Sequence, residues 1–211
     1  MLRGKPEIIR EDLAGLRVLD IGGAGYGADN PYERAMKAAW GGCTRTTLDN
    51  HPAADIRLDL NSSSLPPLGG EWDIVTLFDV LEHIERPVDV LRWLTATRLI
   101  VNVPNAASPL ARRMERTIRS SHLYSFVPYT LDRLLRCAGW TPIRVEWVCG
   151  RWSFTARMVN LAATVFGPSR LAPGLTMHAR RAPAENPGIT DPEDRIASAA
   201  ARRLITGSAR E

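Results

Sequence analysis

The chain reads as an α/β protein: a mostly parallel seven-stranded sheet with helices on both faces. Three observations predict it. From Leu16 onward, short apolar runs alternate with helical periods, which is the pattern of successive βαβ units. The first run, "VLDIGGAGYG", closes with four glycines in six residues, as when a buried strand turns sharply into a helix beside a ligand. Acids recur where the runs stop, at Asp20, Asp49, Asp59 and Asp79. Open parallel sheets bind ligands at that carboxyl edge.

Each element follows in order. "LRVLDI" is the first strand, and "NPYERAMKAAWGG" the helix after it. Tyr32, Ala35, Met36, Ala39 and Trp40 share one face of that helix, and Gly41-Gly42 stop it. "CTRTTLD" is a second strand ending in Asp49, "DIRLDL" a short third, and "LPPLGGEW" a turn-rich connection. "DIVTLFD" is apolar enough to be central. "RPVDVLRWL" starts a helix with Pro87 near its first position, where a missing N–H costs nothing. "RLIVNVP" is a fifth strand, halted by Pro104. "PYTLDRLLRCAGW" is a helix capped by Thr130 and stopped by Gly139, with Leu131, Leu134, Leu135 and Ala138 on one face. "PIRVEWVC" and "LTMHARR" are the last strands, with a helix expected in "SFTARMVNLAATVF" between them. The domain is expected to span residues 1–181. Residues 182–211, rich in Ala, Pro and Arg, are expected to be a mobile tail.

Composition narrows the function. A chain of 211 residues, 45% hydrophobic and 24% charged, suits one soluble domain. The net charge of +4 fits an acidic ligand, a membrane surface or a solvated arginine-rich surface. No RNA-recognition or zinc-finger pattern points to nucleic acid. Cys43, Cys137 and Cys149 are too few and too scattered for a disulfide framework or a zinc site. They suit a reduced, cytoplasmic protein. "MLRGKPEIIREDLAG" lacks the apolar core of a signal peptide, and no run is long enough to span a membrane.

The glycine loop alone leaves two cofactor classes open. Gly23, Gly25 and Ala28 satisfy the spacing of a dinucleotide fingerprint, which would make the chain an NAD(P)-dependent oxidoreductase. An acid at Asp49 serves a ribose in either class. "DIRLDLN" and "WDIVTLFDVLEHI" are features a dinucleotide site does not require.

The combination of "VLDIGGAGYG", "TLDNHP", "DIRLDLN", "FDVLEHIERP", "LIVNVPN" and "HLYSFVPYTLDRLLRCAGW" resembles the class I S-adenosylmethionine-dependent methyltransferases. It is most similar to the branch containing ubiquinone-biosynthesis O-methyltransferases and other small-molecule enzymes. The resemblance covers about residues 16–150, and it implies a Rossmann-like class I fold. Ala24 and Tyr26 stand where the family loop usually has its second and third glycines, so a methyltransferase-like scaffold without turnover is a further alternative.

By this resemblance, Asp20, Gly22, Gly23 and Gly25 line the methionine end of S-adenosylmethionine, and Asp49 holds the ribose. Asp59 and Leu60 sit at the adenine, while Phe78, Asp79 and Val80 close the site. The expected reaction is methyl transfer to a small-molecule acceptor, with oxygen the expected acceptor atom and His83 or His122 as base. Histidine titrates near neutrality and suits that role, although His83 could instead orient its loop. Some relatives bind a divalent ion through a similar E-x-x-E-H motif; here Asp79 replaces the first Glu, and no metal is expected. Arg112, Arg116 and Arg119 share a helix face in "AASPLARRMERTIRSS", either as a solvated surface or as a reader of an anionic acceptor.

Overall fold

In a computed structural model, residues 2–24, 31–118, 122–148, 167 and 171–182 are described. The element order is β1 (Leu2–Arg3), α1 (Lys5–Asp12), β2 (Arg17–Ile21), α2 (Pro31–Trp40), β3 (Thr44–Asp49), β4 (Ile56–Arg57) and β5 (Ile74–Phe78). A 3₁₀ turn (Leu81–His83) follows, then α3 (Pro87–Trp93), β6 (Arg98–Pro104), α4 (Pro109–Ile118), α5 (Pro128–Cys137), β7 (Trp140–Val148) and β8 (Gly174–Arg181). The strands form one sheet in the order β1-β7-β8-β6-β5-β2-β3-β4. Only β8 runs antiparallel to its neighbours, pairing β6 on one side and β7 on the other.

All seven expected strands are present, and the two-residue β1 adds an eighth at the edge, parallel to β7. The chain order reverses at β2: β3 and β4 lie to one side of it, β5 and β6 to the other. A crevice opens at such a reversal because the connections leave in opposite directions.

Strand alternation splits the core into two layers. On one face Leu19, Ile21, Val75, Leu77, Leu99 and Val101 pack with Leu91 of α3 and Leu131 and Leu135 of α5. On the other, Val18, Ile74, Phe78 and Ile100 meet Ile8 and Ile9 of α1 and Met36 and Trp40 of α2. Every residue of β5 is buried, as its continuous apolar run predicts for a central parallel strand.

Several expectations are corrected. Helix α1 was not anticipated; its apolar stripe is short, and Gly4 N–H donates to the Glu7 carboxylate at its start. The third strand, expected over residues 55–60, is only Ile56–Arg57, because as an edge strand it pairs on β3 alone. Helix α5 begins at Pro128 rather than Thr130. Proline presets the first helical φ, and Thr130 Oγ1 reaches back to accept from Val127 N–H at 3.0 Å. β7 starts at Trp140, ahead of Pro142, where a register shift between Pro142 and Arg144 absorbs the missing N–H. The helix expected in residues 153–166, Cys149 and the tail from residue 183 lie outside the described residues. No helix among the described residues is long and apolar enough to cross a membrane.

Candidate cofactor and acceptor site

The loop leaving β2 is built by contacts beneath it. Gly22 has φ +78°, a conformation that favours a residue without Cβ, and its N–H donates to Leu48 O at 2.8 Å. A Cβ there would run into the Val80 side chain. At Gly23 a Cβ would strike the Asp20 carboxylate and the Arg45 guanidinium. These two glycines therefore let the chain fold back onto its own strand. Gly25, Tyr26 and Gly27 lie outside the described residues.

Asp20 lies beneath the loop, and its carboxylate is engaged from within the protein. The side chain is 1% exposed. Oδ1 accepts from Thr76 Oγ1 at 2.7 Å, and Oδ2 accepts from Arg45 Nε at 2.9 Å and Nη2 at 2.5 Å. Burial pushes this carboxyl above the ordinary carboxylate value, with Arg45 and Thr76 pulling against it.

Asp49 ends β3 and lies half-buried beside the loop. Its Oδ2 accepts from Ala24 N–H at 3.3 Å and its Oδ1 from His51 N–H at 3.1 Å. Asp59 stands two residues past β4 and is exposed, its Oδ1 accepting from Asn61 N–H at 2.9 Å. Leu60 turns inward, with Leu65, Val90 and Trp93 around a shallow hollow. Asn61 ties this loop to the next strand end: Nδ2 donates to His83 O at 3.2 Å, and Oδ1 accepts from Glu85 N–H at 2.8 Å.

Phe78 is buried against Trp40, edge to face at 6.3 Å. Asp79 sits at φ +55° and is the only non-glycine with positive φ among the described residues, a strain that needs the surroundings to hold it. Its N–H donates to Asn102 O at 2.9 Å, and its carboxylate pairs with Lys5. Asp79 is thus directed to the start of α1.

The 3₁₀ turn after β5 brings Glu82, His83 and His122 together, one potential ligand atom from each lying within 4.8 Å of the others. The two imidazole rings meet edge to face at 4.7 Å. Glu82 Oε1 lies 3.8 Å from His122 Nε2, and the Glu82 side chain is fully buried. Main-chain bonds dock the His122 segment here, with Leu123 and Tyr124 N–H both donating to Glu82 O, and the Tyr124 side chain adds one from its Oη to Glu85 O at 2.8 Å. One carboxylate and two imidazoles at this spacing can exchange a proton or hold a divalent ion.

Sequence reasoning missed Arg45, Thr76, Lys5 and Asn61. Arg45 carries a usable signal, since a cation in mid-strand needs a counter-charge once buried. Lys5 offers none: its partner is 74 residues away. Of the arginine face, Arg112 is exposed, and nothing is described for the side chains of Arg116 and Arg119.

None of the curated proteins compared with the chain matches it. Among solved structures, a methyltransferase from Archaeoglobus fulgidus described as SAM-dependent aligns with a TM-score of 0.54 at 19% identity, over 85% of this chain and 96% of that one. A structure from Haloferax volcanii containing the Trm112 methyltransferase activator aligns at 0.55 and 14% identity, over 82% and 85%. The [4+2]-cyclase SpnF aligns at 0.50 and 15%, over 84% and 79%, so the shared fold does not by itself dictate the reaction. A family model, the methyltransferase domain, matches residues 2–145. The chain belongs to the methyltransferase domain family, and its fold is that of the S-adenosylmethionine-dependent class I enzymes.

Proposed function

We propose that this methyltransferase moves a methyl group from S-adenosylmethionine to a hydroxyl of a small-molecule acceptor, in the manner of the O-methyltransferase branch it resembles. One observation supports the cofactor half of this reading: Asp49 and the Gly22–Gly23 turn face one another at the strand-order reversal, joined through Ala24 N–H. When bound, the donor would supply a methyl group on a sulfonium, with the bond pair returning to sulfur as the acceptor oxygen takes the methyl. The chain's own work is to align the acceptor and exclude water, and to take the hydroxyl proton. Asp49 has a carboxylate edge suited to ribose hydroxyls, and Leu60, buried beside the exposed Asp59, suits an adenine face. His122, with His83 against it and Glu82 behind it, is suited to receive the proton, and the buried carboxylate would offset the imidazolium charge.

The convergence of Glu82, His83 and His122 favours one second reading: these residues hold a divalent ion that polarises the acceptor oxygen.

Calorimetry with S-adenosylhomocysteine and with NAD⁺ tests the cofactor reading. Binding of the former and not the latter is expected. Asp49→Ala should weaken binding by about ten- to a hundredfold, the range for lost hydrogen bonds to a charged group, and lower the melting temperature by a few degrees through the loss of its bonds to Ala24 and His51 N–H. NAD⁺ binding without S-adenosylhomocysteine binding would overturn it.

A further inference from the structure

We propose that Arg45 is a positioning residue for the cofactor, a single guanidinium that fixes the height of the glycine loop above the sheet; this rests on the cofactor reading above. Its Nη2 donates both to Asp20 Oδ2 and, at 2.6 Å, to Gly23 O. Its Nε donates to Asp20 Oδ2. The guanidinium carbon lies 4.5 Å from the centre of the Trp40 ring on α2, within range of a cation–π contact. One side chain from β3 thus connects the end of β2, the loop leaving it and the helix that follows. Through Asp20 and Thr76 Oγ1 the chain of bonds continues into β5.

The register explains why Arg45 is placed for this. Val18 pairs with Arg45, and Asp20 with both Thr47 and Thr76, so these side chains share the face covered by Trp40. Asp20 is enclosed there, whereas the Arg45 side chain keeps 21% of its surface in contact with solvent. Lysine cannot replace this geometry: its ammonium is a point charge, while the planar fork serves a carboxylate and a neighbouring carbonyl together. The loop's bare backbone therefore supplies access to the ligand, and Arg45 sets where that backbone stops.

Two roles have to be separated: counter-charge to Asp20, and tether to the Gly23 carbonyl. Arg45→Met removes both and leaves a buried carboxylate without its cation, so it can fail through folding alone. Arg45→Met/Asp20→Asn is neutral at both positions and keeps an amide beside Thr76. The full-length chain, both variants and Arg45→Lys are compared by melting temperature, by calorimetry with S-adenosylhomocysteine, and by amide hydrogen exchange without ligand. The double variant is expected to melt above Arg45→Met yet bind about ten- to a hundredfold more weakly than the native chain. Its Gly22 and Ala24 amides should exchange faster by a similar factor. Arg45→Lys should bind between the two.

A double variant that binds S-adenosylhomocysteine like the native chain, or whose loop amides exchange at the native rate, overturns the proposal and leaves Arg45 as a counter-charge only. If the native chain binds no S-adenosylhomocysteine, the cofactor reading fails, and the exchange rates still decide whether Arg45 holds the loop.

Discussion

Replacing Gly22 by alanine tests the construction of the loop without any ligand. Two separate costs are expected. The residue sits at φ +78°, where an L side chain pays about 1–2 kcal/mol. The new methyl would also run into Val80 Cγ2, and overfilling a packed site costs about 1–3 kcal/mol. Together they make roughly 2–5 kcal/mol, or a fall in melting temperature of about 4–20 °C for a chain of this size. The neighbour cannot simply turn aside, because a β-branched side chain is stiff at χ1. With Val80→Ala the γ-methyls are gone, and the remaining Cβ lies 3.5 Å from the new one, an ordinary contact. Gly22→Ala/Val80→Ala should therefore be less destabilised than the sum of its single variants, by the steric part of about 1–3 kcal/mol. Thermal unfolding of the four cofactor-free proteins measures this directly. Additive shifts would refute the contact between the loop and the end of β5; a Gly22→Ala protein melting like the native chain would refute the strained turn as well.

Two further outcomes are expected. A spectroscopic titration with Mn²⁺ should show one bound ion if Glu82, His83 and His122 are ligands, with binding lost in Glu82→Gln and in His122→Ala. If instead no ion binds, chelator leaves turnover unchanged and His122→Ala lowers the rate by about 10²–10⁴, the base reading stands alone. Asp55, which accepts from Thr47 N–H and Oγ1, both at 2.8 Å, is held below the ordinary carboxylate value by those bonds. Its contribution is thus present above the unfolded value of about 3.9 and lost as pH falls through the lower folded one. The stability gap between the native chain and Asp55→Asn should be open at pH 7 and close below about pH 4. A gap independent of pH would show that the carboxylate charge plays no part.

The order of elements was legible because it is written in local periods. "DIVTLF" can only be buried on both faces, and Pro31, Pro87 and Pro128 stand where helices tolerate a missing N–H. Boundaries were less legible wherever a distant partner decided them. β4 stops at Arg57 because it pairs only with β3, and β1 exists only because β7 lies beside it. The same division runs through the site. The sequence by itself determined which chemistries reach the carboxyl edge: bare glycine backbone, acids at strand ends, and histidines in "VLEHI" and before α5. Those depend on spacing along the chain.

Only the tertiary structure decided which of these groups touch one another. It turned Asp20 inward to Arg45, sent Asp79 to Lys5, and set His122 against His83 over the buried Glu82. The physical reason is that a buried charge must find a partner wherever the fold offers one, and the partner's place in the sequence has no bearing on its distance in space.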